Sequence, residues 1–283
     1  MNTLKTFFLL MVLTSLLLVI GYSFGGTGGL IIALVFALAM NFFAYWFSDK
    51  IALSMTRSRP VSEQDDPELH RLVAEQASLA GLPMPRLYEI QSDSPNAFAT
   101  GRNPQHAAVA VTTGIRRLLT REELGAVLAH EMAHVGNRDT LIMTVVATIA
   151  GAISMLAMIA QFSAIFGGLG GDRDRGGGNI IGLLIVAIVM PIAATLIRLA
   201  ISRAREFQAD ATGARTSGNP EALARALEKL EMGAEVRPMK VAEAASHLFI
   251  VNPLSGNSIS RLFSTHPPIQ ERARRLRSMR PNY

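Results

Sequence analysis

The chain contains no cysteine, and only 17% of its 283 residues are charged. The missing cysteine excludes disulfide-stapled secreted domains, thiolate zinc fingers and iron–sulfur clusters, because all three depend on sulfur. Any metal ion must therefore be held by imidazole and carboxylate groups. Soluble globular domains carry about 25% charged residues. The low charge, together with 49% hydrophobic residues, argues against an ordinary cytosolic protein.

Charge is absent from three long stretches. They cover residues 6–48, 140–171 and 176–197, which are 43, 32 and 22 residues long. Glycines divide the first stretch into two apolar blocks, Thr6–Phe24 and Leu30–Phe47. Because a membrane-spanning helix needs about 20 apolar residues, the sequence predicts four spans. A cleaved signal peptide is the alternative for the first block, but its length and the second block behind it favour a retained anchor.

The basic residues outside the spans predict the orientation. Ten lysines and arginines lie in 48–139 and fourteen in 198–283, whereas the short loop 172–175 holds two. Cytoplasmic segments carry the excess of lysine and arginine, so both long polar segments are expected on the cytoplasmic face. The net charge of +5 is then explained by the orientation of the chain in the lipid bilayer. No basic patch interleaved with aromatic residues is present, so no nucleic-acid partner is expected.

The polar segments have the pattern of a folded α+β domain. Helices are predicted to begin at Asp66, Thr120, Asn219 and Pro267, from capping residues and prolines. Short strands are predicted at Arg86–Gln91, Ala97–Thr100 and Ala107–Thr112. The predicted organisation is a two-span anchor (1–48), a first part of the folded domain (49–139), a transmembrane hairpin (140–197) and a second part (198–283).

The helix that begins after Thr120 contains the motif His130-Glu131-Met132-Ala133-His134. Two histidines at positions i and i+4 lie on one helical face and can bind one metal ion, while the adjacent glutamate can act as a general base. Zinc is the expected ion, since it takes nitrogen and oxygen ligands. Only three of the five positions are fixed, so an ordinary helix with this spacing is the alternative.

A catalytic zinc site needs a third protein ligand, and Glu206 is the candidate. Asp210 lies one turn further along the same predicted helix face, where it could orient a ligand histidine. The alternative is a solvated face on which these carboxylates pair with Arg203 and Arg205. The predicted hairpin 140–197 favours the metal site, because two spans return the chain to the face from which it left.

With these motifs the sequence resembles the HtpX-type membrane zinc metalloproteases, which are relatives of the CAAX prenyl endoproteases. The matching motifs run in the family's order from Pro95 to Arg272. They are Pro95–Gly101, His130–His134 followed by Asn137–Asp139, Ser202–Asp210, and Phe263–Pro268 followed by Arg272. The four predicted spans match the family's usual layout.

The resemblance implies a gluzincin-like catalytic domain with one zinc ion bound by His130, His134 and Glu206. Glu131 would be the catalytic base. His266 and Arg272 match positions that face the cleft and stabilise the developing oxyanion; taken alone, they would be a turn histidine and a solvated arginine. The resemblance also implies an edge strand onto which an extended substrate adds, formed by Asn96, Ala97, Phe98 and Ala99.

The expected function is a membrane-anchored zinc endopeptidase of the bacterial inner membrane, with its catalytic domain in the cytoplasm. The resemblance implies that its substrates are misfolded or damaged membrane and cytosolic proteins, in quality control and stress response. One alternative is an intramembrane protease, which the charges at Arg116–Arg117 and Arg121–Glu123 disfavour because charge is costly inside the bilayer. The other is a non-enzymatic membrane scaffold with structural zinc.

Overall fold

A computed structural model describes most of the chain outside the second pair of predicted spans. The described residues are 2–143, 145, 203–239, 241, 243–246, 248–253 and 267–279. Apart from residues 140–143 and 145, the predicted hairpin 140–197 lies outside the described residues, and so does His266.

The N-terminal helix α1, Asn2–Trp46, is two helices joined at Gly26, whose φ of 54° is not helical. Asn41 Nδ2 donates to Thr14 Oγ1 at 2.8 Å although the residues are 27 positions apart. A continuous helix would separate them by about 40 Å, at 1.5 Å per residue. The chain therefore folds back at Gly26, and the two apolar blocks pack as a helical hairpin.

Within the described part of the chain, the helix Gly26–Trp46 is long and apolar enough to cross a membrane. It contains nearly all of the predicted second span, Leu30–Phe47. Large apolar side chains are exposed along both arms of α1, from Phe7 to Trp46. Such a surface is costly in water but suits a lipid environment.

A four-stranded sheet follows in the polar segment. Its strands are β1 (Arg59–Pro60), β2 (Arg86–Ile90), β3 (Ala97–Thr100) and β4 (Ala108–Thr112). They are ordered β1-β2-β4-β3; β2 and β4 are parallel, and β3 runs antiparallel to β4 with Ala97 opposite Val111. The three predicted strands are confirmed to within one residue. Strand β1 has only two residues, too few to produce a periodic pattern.

Eight further α-helices and one short 3-10 helix, Pro104–His106, are present in the described residues. The α-helices are α2 (Ser48–Met55), α3 (Pro67–Leu79), α4 (Thr113–Leu118), α5 (Arg121–Gly136), α6 (Arg203–Ser217), α7 (Pro220–Val236), α8 (Glu243–Ser246) and α9 (Ile269–Arg277). Three predicted helix starts are confirmed: Asp66 accepts from the Leu69 N–H, Thr120 and Glu123 form a complete capping box, and Asn219 accepts from the Ala222 N–H. The C-terminal helix begins at Ile269, two residues after the predicted Pro267.

Helix α5 is the centre of the domain, and nearly every residue from Glu123 to Val135 is buried. The main hydrophobic core joins it to α3, the sheet, α7 and α9 through side chains such as Leu72, Val109, Leu227 and Leu276. The motif His130–His134 therefore lies in a part of α5 that is packed against neighbouring elements on every face.

Candidate metal centre

Helices α5 and α6 bring three ligand groups together. His130 and His134 face each other with 3.2 Å between their Nε2 atoms. Glu206 places Oε1 3.6 Å from Nε2 of His134 and Oε2 4.0 Å from Nε2 of His130. All three side chains are buried, and one ligand atom from each lies within 4.8 Å of the others.

This donor set fits a single metal ion. Zinc bonds to nitrogen and oxygen are about 2.0–2.1 Å long, so tetrahedral ligand atoms lie about 3.3 Å from one another. The distances of 3.2 and 3.6 Å between the His134 Nε2 atom and its two neighbours match that spacing. Two imidazole nitrogens facing each other at 3.2 Å also need a proton or a cation between them.

Gly213 allows the two helices to approach closely enough. A Cβ atom at this position would lie 2.7 Å from the backbone N and Cα of His130. A larger residue would therefore push α6 away from α5. Because Glu206 is seven residues earlier on the same helical face, it would move away from the histidines as well.

Carboxylates hold the other nitrogen of each histidine. Asp210 Oδ1 lies 3.0 Å from His130 Nδ1, which is the position that the sequence predicted. Asp139 Oδ2 lies 3.3 Å from His134 Nδ1 and was not singled out from the sequence. Carboxylates in this position can orient a ring so that its Nε2 atom faces a bound metal ion. The Asp139 contact depends on the turn after α5, which Arg138 makes with a φ of 58°.

Arg272, on α9, is fully buried and ties the C-terminal helix to α6. Its Nε and Nη2 atoms donate to the two carboxylate oxygens of Asp210 at 2.8 and 2.7 Å, and Nη1 lies 3.3 Å from Glu206 Oε2. Burial alone would raise the pKa of Asp210, but the Arg272 guanidinium outweighs it and lowers that pKa to about 2. The Asp210 carboxylate therefore stays charged beside His130.

Glu131 points toward the edge strand. Burial raises its pKa, while the neighbouring His130, His134 and the Ala99 backbone N–H act in the opposite direction. For His134, burial would lower the pKa, but Asp139, Glu206 and Glu131 raise it to about 9. Burial is the main cause of the first shift, and the surrounding acidic side chains are the cause of the second.

The local charge favours a divalent cation. Four buried carboxylates lie around the centre, from Glu131, Asp139, Glu206 and Asp210. Two buried guanidinium groups face them: Arg272 as described, and Arg205, which interacts with Asp139 and Glu206. Metal ligation requires neutral histidines, and the described groups then leave two negative charges, which one divalent ion would balance.

The predicted substrate strand borders this centre. Strand β3 is at the edge of the sheet, and the Ala99 backbone N–H donates to Glu131. Asn96 is fully buried just before the strand, and the Phe98 ring packs edge-on against Phe249. Ile250 lies at the outer edge of this strand, where its N–H donates to the Ala97 carbonyl, a contact that was not predicted from the sequence.

Comparison with known proteins gives a consistent result. The model of peptidase family M48 matches residues 63–280. Proteins described as "Protease HtpX homolog" are similar over nearly the whole chain: 56% identity over 278 residues in Syntrophobacter fumaroxidans (97% of this chain, 98% of the relative) and 54% over 276 residues in Pyrococcus furiosus (97% and 95%).

Among solved structures, the crystal structure of S. mikatae Ste24p has a similar fold, with a TM-score of 0.53 and 20% identity. The match covers 97% of this chain and 65% of that one.

Proposed function

Since the chain belongs to peptidase family M48 and is a metalloprotease, we propose that it is a zinc endopeptidase anchored in the cytoplasmic membrane, with its catalytic domain in the cytoplasm. The observation that carries the proposal is the buried group of His130, His134 and Glu206 with Glu131 beside it. A binding site for a structural ion would not need the buried carboxylate with a raised pKa next to the ligands.

His130, His134 and Glu206 would hold the zinc ion, and Asp210 and Asp139 would orient the two histidines. When bound, zinc supplies a Lewis acid that polarises the peptide carbonyl and lowers the pKa of water. Other divalent ions fit the same donors. Cysteine cannot contribute a ligand, because the chain contains none.

Glu131 is the proton carrier in this proposal. Its carboxylate takes a proton from the attacking water, whose oxygen forms a bond to the peptide carbonyl carbon. It then delivers that proton to the leaving nitrogen as the C–N bond breaks. Its position supports this role, because Glu131 is buried directly beside the ligand His130 and faces the edge strand, whose Ala99 backbone N–H donates to it.

The remaining roles concern the substrate. Arg272 carries a positive charge beside the centre, which supports stabilisation of the oxyanion that develops on the carbonyl oxygen. His266 is proposed for the same role on the basis of its sequence motif alone. The strand Asn96, Ala97, Phe98 and Ala99 would receive an extended substrate through main-chain hydrogen bonds.

The same contacts support a membrane topology with four spans. His134 and Glu206 meet at one site although the apolar segment 140–197 separates them in sequence. A segment that leaves and returns to one place crosses the bilayer an even number of times, so we propose two crossings. With the two arms of α1 the total is four. The exposed ion pairs of Arg117 and Arg121 near the start of α5 support a domain in water.

We propose misfolded or damaged membrane and cytosolic proteins as substrates, in protein quality control. The relatives are named proteases of the HtpX type. Recognition through main-chain atoms supports this substrate class, because any extended polypeptide offers the same N–H and C=O groups. Folded proteins keep those groups paired, so unfolded segments would be cleaved first.

The test is metal analysis of the detergent-purified protein together with casein proteolysis. The expected result is one equivalent of zinc per chain and proteolysis that stops with 1,10-phenanthroline and returns when zinc is added. A protein without bound metal whose proteolysis is absent or insensitive to the chelator would contradict the proposal.

A further inference from the structure

Part of the chain occupies the outer edge of strand β3. Residues Leu248 to Val251 are all buried, and Phe249 packs on Phe98 with 5.2 Å between the ring centroids. The segment reaches this position from far away in sequence, since Asn96 and Val251 are 155 positions apart. We call residues 248–253 the covering segment.

Four hydrogen bonds hold the backbone of two of its residues. The Ile250 N–H donates to the Ala97 carbonyl at 3.1 Å. Arg272 Nη1 donates to the Ile250 carbonyl at 3.2 Å. The Asn96 side chain binds Val251 twice: its Nδ2 donates to the Val251 carbonyl at 2.7 Å, and its Oδ1 accepts from the Val251 N–H at 3.3 Å.

All four bonds reach main-chain atoms, so they do not depend on which side chains stand at positions 250 and 251. Asn96, Ala97 and Arg272 would bind any extended dipeptide in the same way. The place is also next to the reacting groups: Arg272 contacts Glu206, and the strand that carries Ala97 continues to the Ala99 N–H at Glu131.

We propose that the Ile250–Val251 backbone occupies the subsite that binds two consecutive residues of the substrate, and that substrate must displace the covering segment to bind. This rests on the proposed function, because it takes β3 as the substrate strand. Asn96 and Arg272 then bind the substrate backbone directly, and Arg272 does so in addition to its proposed role at the oxyanion. The protein in this structure is then held in a closed form by its own chain.

The covering segment and the substrate compete for the same subsite, and this competition raises the KM for the substrate. A ligand that binds only the open form has an apparent affinity reduced by the open fraction. Loosening the covering segment should therefore lower KM and leave kcat unchanged, since the segment has left the site before the chemical step.

Ile250→Pro tests this directly in the full-length, detergent-purified protein. Proline has no N–H and removes the bond to Ala97; we expect KM for unfolded β-casein to fall about fivefold, the factor that one hydrogen bond contributes. Ile250→Ala keeps the N–H but removes buried side-chain contacts, and should lower KM as well. Ile115→Ala is the matched control, because Ile115 is equally buried but lies on α4. Its KM should stay that of the wild type.

Hydrogen exchange gives a second readout that does not depend on the proline variant folding. Glu131→Gln, loaded with zinc, is mixed with saturating β-casein, which it should bind without cleaving. We expect exchange of the peptide covering 248–253 to become faster on binding. Unchanged or slower exchange there, or an unchanged KM in Ile250→Ala, would overturn the inference.

The two proposals fail in different ways. If the chain is not a zinc endopeptidase, the wild type will lack chelator-sensitive cleavage of β-casein. If only the covering segment is misassigned, the wild type will cleave β-casein with the same KM as Ile250→Ala.

Discussion

Helix α5 carries two buried glutamates, Glu123 and Glu131, that lie eight residues apart and behave in opposite ways. Their exposed fractions are nearly the same, 2% and 3%. The pKa of Glu123 is lowered and that of Glu131 is raised. Glu123 lies near the surface beside two partly exposed cations, whereas Glu131 lies deep in the domain, so both the depth of burial and the partners decide what each carboxylate does.

At Glu123 the partners are cations and backbone donors. Burial would raise its pKa, but Lys229 Nζ at 2.7 Å, the Thr120 N–H of the capping box and Arg225 together lower it. The carboxylate links the first turn of α5 to α7, and its charge is fully compensated. It is a structural residue.

Arg272 interacts with Glu131, but its close contacts are with other carboxylates. Arg272 forms its two shortest ion-pair contacts with Asp210 and also faces Glu206. Burial therefore dominates, and the proton affinity of Glu131 rises. The comparison of Glu123 with Glu131 indicates that a buried carboxylate is suited to proton transfer when nearby cations do not fully balance its charge.

The strongest way to break this arrangement is to remove the buried cation. Arg272→Met leaves Asp210 and Glu206 without their partner, and breaking a buried pair costs about 3–5 kcal/mol. We expect that loss in the free energy of unfolding measured with urea, together with loss of proteolysis. The control is Arg275→Met on the same helix, whose guanidinium is exposed and pairs with Glu271; it should change stability by less than about 1 kcal/mol. Equal effects would contradict the account.

A smaller change tests the positioning of His134. Asp139→Asn removes the charged acceptor at His134 Nδ1 and should weaken zinc affinity and activity about 10–100-fold. Competition with a zinc-binding dye measures the affinity. Asp93→Asn, which alters an exposed pair with Arg117, is the control and should not change it. Full zinc affinity in Asp139→Asn would mean that the 3.3 Å contact does not orient the ring.

A substitution at the structural residue Glu123 tests the other half of this comparison. Glu123→Gln weakens the contacts with Lys229 and Arg225 and should cost about 1–2 kcal/mol of stability. Activity at a temperature where the protein is folded should stay at the wild-type level. Glu75→Gln, in an exposed pair with Arg121, is the control and should change stability by less. A loss of activity in folded Glu123→Gln would remove the distinction between the two glutamates.

The smallest effect is a pH dependence. Because the folded-state pKa of Glu123 is below its ordinary value of 4.5, its charge stabilises the fold above that pH, and this stabilisation is lost as the pH falls through the lowered pKa. The Tm difference between wild type and Glu123→Gln should therefore be constant around neutral pH and should decrease as the pH falls below about 4.5. A Tm difference that increases as the pH falls would contradict the lowered pKa of Glu123.

Local chemistry made much of the fold predictable. Asp66, Thr120 and Asn219 begin helices where they were predicted, because a side chain that accepts from a backbone N–H two or three residues later is a property of the neighbouring sequence. The spacing of His130 and His134 is equally local. Two apolar blocks around Gly26 likewise predicted the two arms of α1.

Contacts between distant segments were less predictable. Asp210 was proposed to orient a histidine, but its bidentate bond with Arg272 joins residues 62 positions apart. Nothing near Ile250 in sequence indicates that it lies against Ala97, because an irregular segment has no periodicity. Gly213 and Asp139 are similar cases: each matters only through what packs against it in three dimensions.

The most direct test measures Glu131→Gln and Glu123→Gln side by side for zinc content and casein proteolysis, at a temperature where both are folded. The account predicts one zinc per chain in both variants, proteolysis reduced about 10²–10⁴-fold in Glu131→Gln, the contribution of general acid–base catalysis, and unchanged proteolysis in Glu123→Gln. Substantial proteolysis by zinc-loaded Glu131→Gln would contradict the account.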